Sequence, residues 1–359
     1  MSSTTMQASR PSTKAAKEFL FSADSHVIEP RDLWATQLPP GMREKVPPMT
    51  GGGPYLPGGQ DPQQRTNEMK EDGVSTEVLY PTFGGRLFAL DDAELQEASF
   101  RVYNDWLSDY CKVAPDRLLG VAMIPTYNIG HAIQELERCR KLELRGVQVW
   151  QAPHPDLPFS SDHYDPLWEA VQDAGMPVSL HIQTGHDYSK DRNRKGLEAY
   201  RASVNHKLSS VMDALLDLIF SGVLERFPRL EFVLVEHGIG WIPFVLEQWD
   251  IYYESPRFRD MNPLPIKMRP SEYFARQIFV TFSRELSAKA AVGPHNLPWW
   301  GIDNCMWAND FPHPESTWPH SRETIAHHLK HLSPDDLSKV LWKNVSQLYN
   351  FDMPEALSS

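Results

Sequence analysis

Aspartates and histidines in this chain stand at the ends of short apolar runs, where folding would bury them. Residues 19–23 lead into Asp24-Ser25-His26-Val27-Ile28-Glu29. Alternate residues of an extended strand share a face, so Asp24 and His26 can offer an oxygen and an imidazole nitrogen to one cation. Alone, an Asp-x-His at a strand end reads more simply as a turn cap beside a hydrogen-bonded histidine. His181 closes the run Val178-Ser179-Leu180, and a buried imidazole without partners costs ~1–3 kcal/mol. Glu236-His237-Gly238 ends a third run, and Asn309-Asp310-Phe311-Pro312-His313 ends a fourth. An aspartate closing an apolar strand is costly unless it is paired or metal-bound. Each site by itself reads as a cap or a core histidine. Four of them on one face of one fold read as a metal site.

The elements that must position these residues are regular. Strand signals fall at 19–23, 75–80, 118–124, 146–150, 177–182, 231–236, 277–282 and 304–308. Several are continuous apolar runs, as expected of parallel strands covered by helices. Helical patterns lie between them at 91–113, 129–144, 162–174 and 206–224, and a last one runs from the Ser333-Pro334-Asp335-Asp336 cap to about Tyr349. Eight strands alternating with helices predict an α/β fold, a (β/α)8 TIM barrel, whose active sites form at the C-terminal strand ends. No Gly-x-Gly-x-x-Gly follows the first strand and no phosphate-cradling loop occurs, so a dinucleotide fold is disfavoured. Residues 18–359 read as one barrel domain and 1–17 as a disordered tail. Three connections, 30–67, 183–205 and 251–270, are too long for plain loops. The first two leave C-terminal strand ends and read as site walls or lids, with 30–67 expected to cover the mouth.

Composition narrows the function classes. Lys and Arg total 35 against 47 Asp and Glu, a formal net charge of −12, with no basic cluster. That argues against nucleic acid as a partner. No apolar run reaches the ~18–20 residues of a membrane span. The three cysteines are scattered, which fits a reducing compartment and excludes a disulfide scaffold. A cytoplasmic enzyme acting on a small molecule is the expectation. The tail's basic residues Arg10, Lys14 and Lys17 leave an organellar transit peptide as the alternative.

At this point the chain resembles the amidohydrolase superfamily, in the amidohydrolase-related branch that includes aminocarboxymuconate semialdehyde decarboxylase and aromatic-acid decarboxylases. The likeness spans nearly all of 19–351. It rests on Ala23-Asp24-Ser25-His26-Val27-Ile28-Glu29-Pro30, Leu180-His181, Ser221-Gly222-Val223 with Arg226-Phe227-Pro228, Glu236-His237-Gly238-Ile239-Gly240-Trp241, Asn309-Asp310-Phe311-Pro312-His313 and Leu341-Trp342-Lys343-Asn344-Val345. The resemblance implies that Asp24, His26, His181 and Asp310 are metal ligands, with His237 assisting catalysis and Asp310 carrying protons. Position 24 is Asp where many members have His, which points to manganese or iron as well as zinc. The fourth strand segment, 146–150, has no lysine to carbamylate, so one metal is expected. A second metal would need Glu29 with another histidine such as His206.

The implied activity is a metal-dependent hydrolase or carboxy-lyase on a small carboxylate-bearing or aromatic substrate. The alternatives are a dinuclear iron or manganese–iron monooxygenase on the same barrel, or a non-catalytic partner subunit. Phe83, Trp150, Arg284 and His313 are candidate substrate contacts, since an aromatic wall plus a guanidinium suits an aromatic acid. Trp241, Trp299, Trp300 and Trp318 also fall near strand ends. A homo- or hetero-oligomer is expected by analogy with relatives.

Overall fold

The structure is a computed structural model that describes residues 19–49, 53, 55–186, 195–285 and 301–351. The expected tail 1–17, Trp299 and Trp300 lie outside the described residues. Eight parallel strands form one sheet in sequential order. They are β1 (Phe21–Val27), β2 (Thr76–Pro81), β3 (Leu118–Met123), β4 (Gly146–Val149), β5 (Val178–His181), β6 (Phe232–Val235), β7 (Ile278–Phe282) and β8 (Cys305–Trp307). Just beyond β8 the ring draws together, where Asp310 N–H donates to the Asp24 carbonyl at 3.0 Å and His26 N–H to the Phe311 carbonyl at 2.6 Å. This is the expected (β/α)8 barrel.

Strand alternation sorts the core into two layers. Phe21, Val78, Leu119, Val121, Val233 and Met306 point inward and form one cluster with Val345, Leu348, Tyr349 and Phe351 of the C-terminal segment. Neighbours such as Leu79, Leu118, Ala122, Phe232 and Leu234 point outward against the surrounding helices. The helices start and stop where their caps require. Asp92 accepts from Leu95 N–H at the start of the helix Ala93–Cys111. Gly175, at φ +62°, closes the helix Asp165–Ala174 in a left-handed cap that side chains with a Cβ adopt at a cost.

The long connections differ from plain loops. Residues 251–270 are largely helical, in Ile242–Glu254 and Pro256–Met261, because Pro256 takes the first helical position and restarts the chain after Ser255. Within 30–67 lie the helices Leu33–Gln37 and Pro40–Arg43 and the start of Pro62–Asp72. Trp34 of this segment is buried, and its indole donates to the Ser99 carbonyl at 2.9 Å. A Cβ on Gly59 would sit 2.5 Å from Ile28 Cγ1, so glycine permits the close approach there. The segment contributes Tyr55 to the barrel mouth.

Candidate metal centre

The mouth of the barrel holds a cavity of about 580 Å³ lined by Asp24, His26, His181, Glu236, Asp310 and His313, among others. Asp24, His26 and His181 are 1%, 2% and 6% exposed. His26 places Nδ1 3.1 Å from the Pro81 carbonyl and His181 places Nδ1 3.0 Å from the Ile182 carbonyl. A carbonyl only accepts, so each ring carries its proton on Nδ1 and turns the Nε2 lone pair inward. The two Nε2 atoms then face each other at 3.2 Å. Asp24 Oδ1 lies 3.5 Å from one and 3.8 Å from the other, and it has no hydrogen-bond partner among the described residues. Three buried lone-pair atoms converge with no proton between them, which is unfavourable unless a cation joins them. Nitrogen and carboxylate donors with backbone-anchored rings suit a divalent metal such as manganese, iron or zinc.

Asp310 and Glu236 complete the group. Asp310 Oδ1 is 3.7 Å from His26 Nε2 and 2.7 Å from His313 Nδ1. Glu236 Oε2 is 3.8 Å from His181 Nε2. Donor atoms of Asp24, His26, His181 and Glu236 lie within 4.8 Å of one another, as do those of His26, Glu236, Asp310 and His313. Gln183, Glu236 and Asp310, each just past its strand, take φ of +61°, +65° and +56°. Left-handed backbone at non-glycine residues costs of order 1–3 kcal/mol and gathers at functional sites.

The electrostatics follow from burial and crowding. Burial alone would raise the Asp24 carboxyl, but His181 and His26 outweigh it and hold it below the usual range. Burial, then the His313 charge, pulls His26 down to about 4, which keeps it neutral. Burial, then Asp310 and Asp24, pushes the Glu236 carboxyl well up. For His313 burial pulls down, yet its bond to Asp310 leaves it above the usual value.

Several expected residues fall elsewhere. Strand alternation predicts that Glu236 turns away from the mouth while His237 faces it. Instead Glu236 lines the cavity, because its left-handed φ breaks the alternation just after Val235. His237 is 2% exposed and is absent from the cavity lining. Neither of its ring nitrogens has a partner among the described residues, and burial, then His181 and Lys207, pulls it well below the usual range. Glu236 is the residue that sequence reasoning missed. The available signal was its place before Gly238, where an ending strand no longer alternates.

Glu29 does not reach the cluster, because its oxygens accept the Phe83 and Gly84 N–H groups at 2.9 Å each. His206 is exposed on the turn Arg201–His206 and stands outside both donor groups. Trp150 is fully buried and its indole donates to Tyr164 Oη at 3.1 Å, so it is core. Phe83 is also buried and meets the site through two cavity-lining residues, Tyr55, with its ring centroid 6.4 Å away, and Arg86, whose guanidinium stands 5.3 Å from the Phe83 ring centre. Arg284 and His313 do line the cavity. Trp241 and Trp318 donate to backbone carbonyls of Gly238 and Glu68.

A second group, Asp91, His154 and His186, gathers donor atoms within 4.8 Å. His186 Nε2 pairs with Asp91 Oδ1 at 2.5 Å, and His154 Nδ1 accepts the Asp156 N–H at 3.1 Å. That bond leaves the neutral His154 proton on Nε2, the reverse of His26 and His181, and the group reads as a hydrogen-bonded pair with a ring packed edge-on at 61°.

Known proteins resemble this chain in sequence and fold. Residues 32–351 match the Amidohydrolase family. Gamma-resorcylate decarboxylase of Rhizobium radiobacter is 26% identical over 268 residues, covering 69% of this chain and 76% of that protein. The crystal structure of 5-carboxyvanillate decarboxylase from Sphingomonas paucimobilis superposes with TM-score 0.72 at 22% identity, covering 93% of this chain and 99% of the other. A dihydroxybenzoic acid decarboxylase from Polaromonas sp. JS666, with bound manganese and 2-nitroresorcinol, gives 0.68 at 20% identity and covers 95% and 100%. No described helix is long and apolar enough to cross a membrane.

Proposed function

The chain belongs to the amidohydrolase family, and from that premise we propose that it is a metal-dependent carboxy-lyase releasing carbon dioxide from a small carboxylate-bearing aromatic substrate. The observation that carries this reading is the convergence of His26 Nε2, His181 Nε2 and Asp24 Oδ1, which has no hydrogen-bond partner among the described residues. The decarboxylase relatives supply the reaction class. Asp24, His26, His181 and Asp310 would hold the cation, with Glu236 beside it as a further oxygen donor. A divalent metal bound there would supply Lewis acidity to a substrate carboxylate and its neighbouring oxygen.

The chain's own residues handle the substrate and the proton. Arg284 and Lys207 line the cavity and suit an anionic substrate, the guanidinium through paired hydrogen bonds. Asp310 carries a proton to the ring carbon that bears the carboxylate. That carbon gains a C–H bond, its bond to the carboxylate breaks, and the electron pair returns to the ring as carbon dioxide leaves. His313, 2.7 Å from Asp310, is placed to resupply the proton, and Thr82 Oγ1 contacts its other nitrogen at 3.2 Å. With Glu29 held by backbone, the dinuclear alternative loses its extra ligand.

Three buried free thiols, Cys111, Cys139 and Cys305, support a cytoplasmic setting. The exposed Phe244, Ile251, Tyr252 and Met261 support self-association. The test is carbon dioxide release from a panel of hydroxybenzoates by manganese-loaded protein, beside His181→Ala, which should stay folded and lose most of its metal. Ester or lactone hydrolysis without carbon dioxide release would reassign the site to hydrolysis. Full metal retention in His181→Ala would remove His181 as a ligand.

A further inference from the structure

The seam between β1 and β8 carries Asp24, His26 and Asp310, and one buried polar network binds it. Its centre is Asn309, 1% exposed. Asn309 Oδ1 accepts from Ser25 Oγ at 2.7 Å, Ser22 Oγ at 3.0 Å and Phe311 N–H at 3.1 Å. Its N–H donates to Ser22 Oγ at 2.9 Å, and its Nδ2 donates to Glu77 Oε1 at 3.1 Å. Glu77 Oε2 in turn accepts from Arg65 Nε at 2.5 Å, an ion pair 1% and 0% exposed. The loop closes on the site, because Arg65 Nη1 donates to the His26 carbonyl at 2.7 Å and the guanidinium stacks on the Phe311 ring at 4.5 Å.

Two facts distinguish this network from ordinary core packing. The β1–β2 register slips between Ser22 and Ser25, around Asp24, so the ladder is broken at the residue that faces the cavity. There the Asp24 carbonyl accepts from Asp310 N–H at 3.0 Å and shares the single Ser22 hydroxyl proton with Asn309 Oδ1, Ser22 Oγ lying 2.8 Å from it. A buried ion pair is a weak source of stability, since its desolvation offsets most of the attraction. This pair's additional bonds run to the His26 carbonyl and to Asn309, the neighbour of Asp310.

We propose that Asn309, Ser22, Ser25 and the Arg65–Glu77 pair are positioning residues that set the spacing of Asp24, His26 and Asp310, and so determine how tightly the barrel mouth holds its cation. The proposal rests on the metal-site reading above. Groups that orient metal ligands cost ~10–100-fold in metal affinity when removed. A purely structural network would lower the melting temperature and leave affinity unchanged.

The experiment is calorimetric titration of metal-stripped full chain with Mn²⁺, alongside thermal unfolding of the metal-free form. Asn309→Ala should weaken Mn²⁺ binding ~10–100-fold. Ser25→Ala, which removes one of the three bonds to Asn309 Oδ1, should weaken it several-fold and decides alone if Asn309→Ala does not fold. Affinities within about twofold of wild type in the folded variants, whatever their melting temperatures, overturn the proposal. A wild-type chain that binds no Mn²⁺, indistinguishable from Asp24→Asn, instead removes the metal-site reading and the proposal with it.

Discussion

The two ends of this barrel are built from the same strands and follow opposite rules. At the floor, Phe21, Val78, Leu119, Val233 and Met306 meet Val345, Leu348 and Phe351 in an apolar plug. The nearby hydroxyls satisfy one another, with Tyr80 Oη 2.9 Å from Ser179 Oγ and 3.2 Å from Tyr349 Oη. At the mouth, a few residues along, Asp24 Oδ1 and both His237 nitrogens have no partner among the described residues, and Gln183, Glu236 and Asp310 take left-handed backbone. Local preference and packing agree at the floor and conflict at the mouth. The difference teaches that the floor supplies stability, while the mouth holds groups in costly states that a cation and a substrate would relieve.

Substitutions at the two ends should therefore separate rate from stability. The largest effect is expected at Asp310→Asn, with turnover down ~10²–10⁴-fold and the melting temperature nearly unchanged. A melting loss there as large as that of a floor variant would erase the distinction. Leu348→Ala, at the floor, should cost ~2–5 kcal/mol in urea unfolding because it opens a cavity in the plug. Its Mn²⁺ affinity should match wild type, and a weakened affinity would show that the floor also shapes the site.

The smallest effect concerns Glu29, buried beside the mouth, whose carboxyl burial pushes up to about 6 although Phe83 and Gly84 N–H groups partly offset it. An acid raised in the folded state favours folding while protonated. That stability is full below the ordinary 4.5 and is lost as pH rises through about 6. Glu29→Gln should flatten this decline by on the order of 2 kcal/mol between the two ends of that window. An undiminished decline in the variant would assign the titration to another group.

Strand order, helix placement and the strand ends that carry Asp and His were legible in the chain itself. Apolar periodicity, caps such as Asp92 and Gly175, and the recurrence of Asp or His after the strands all act within a few residues. Asp24, His26, His181, Asp310 and His313 were each readable in this way, and the structure gathers them around one cavity. The exchange of Glu236 for His237 was not, because it turns on one residue's φ, which the closing of β6 against its neighbours sets. Nor could the sequence show that backbone holds Glu29 or that Trp150 is core. Each is decided by contacts with partners distant in the chain. A residue's type and spacing determine which chemistry it can perform and which strand carries it. Only the packed barrel decides which atom faces the cavity and which groups remain to hold it there.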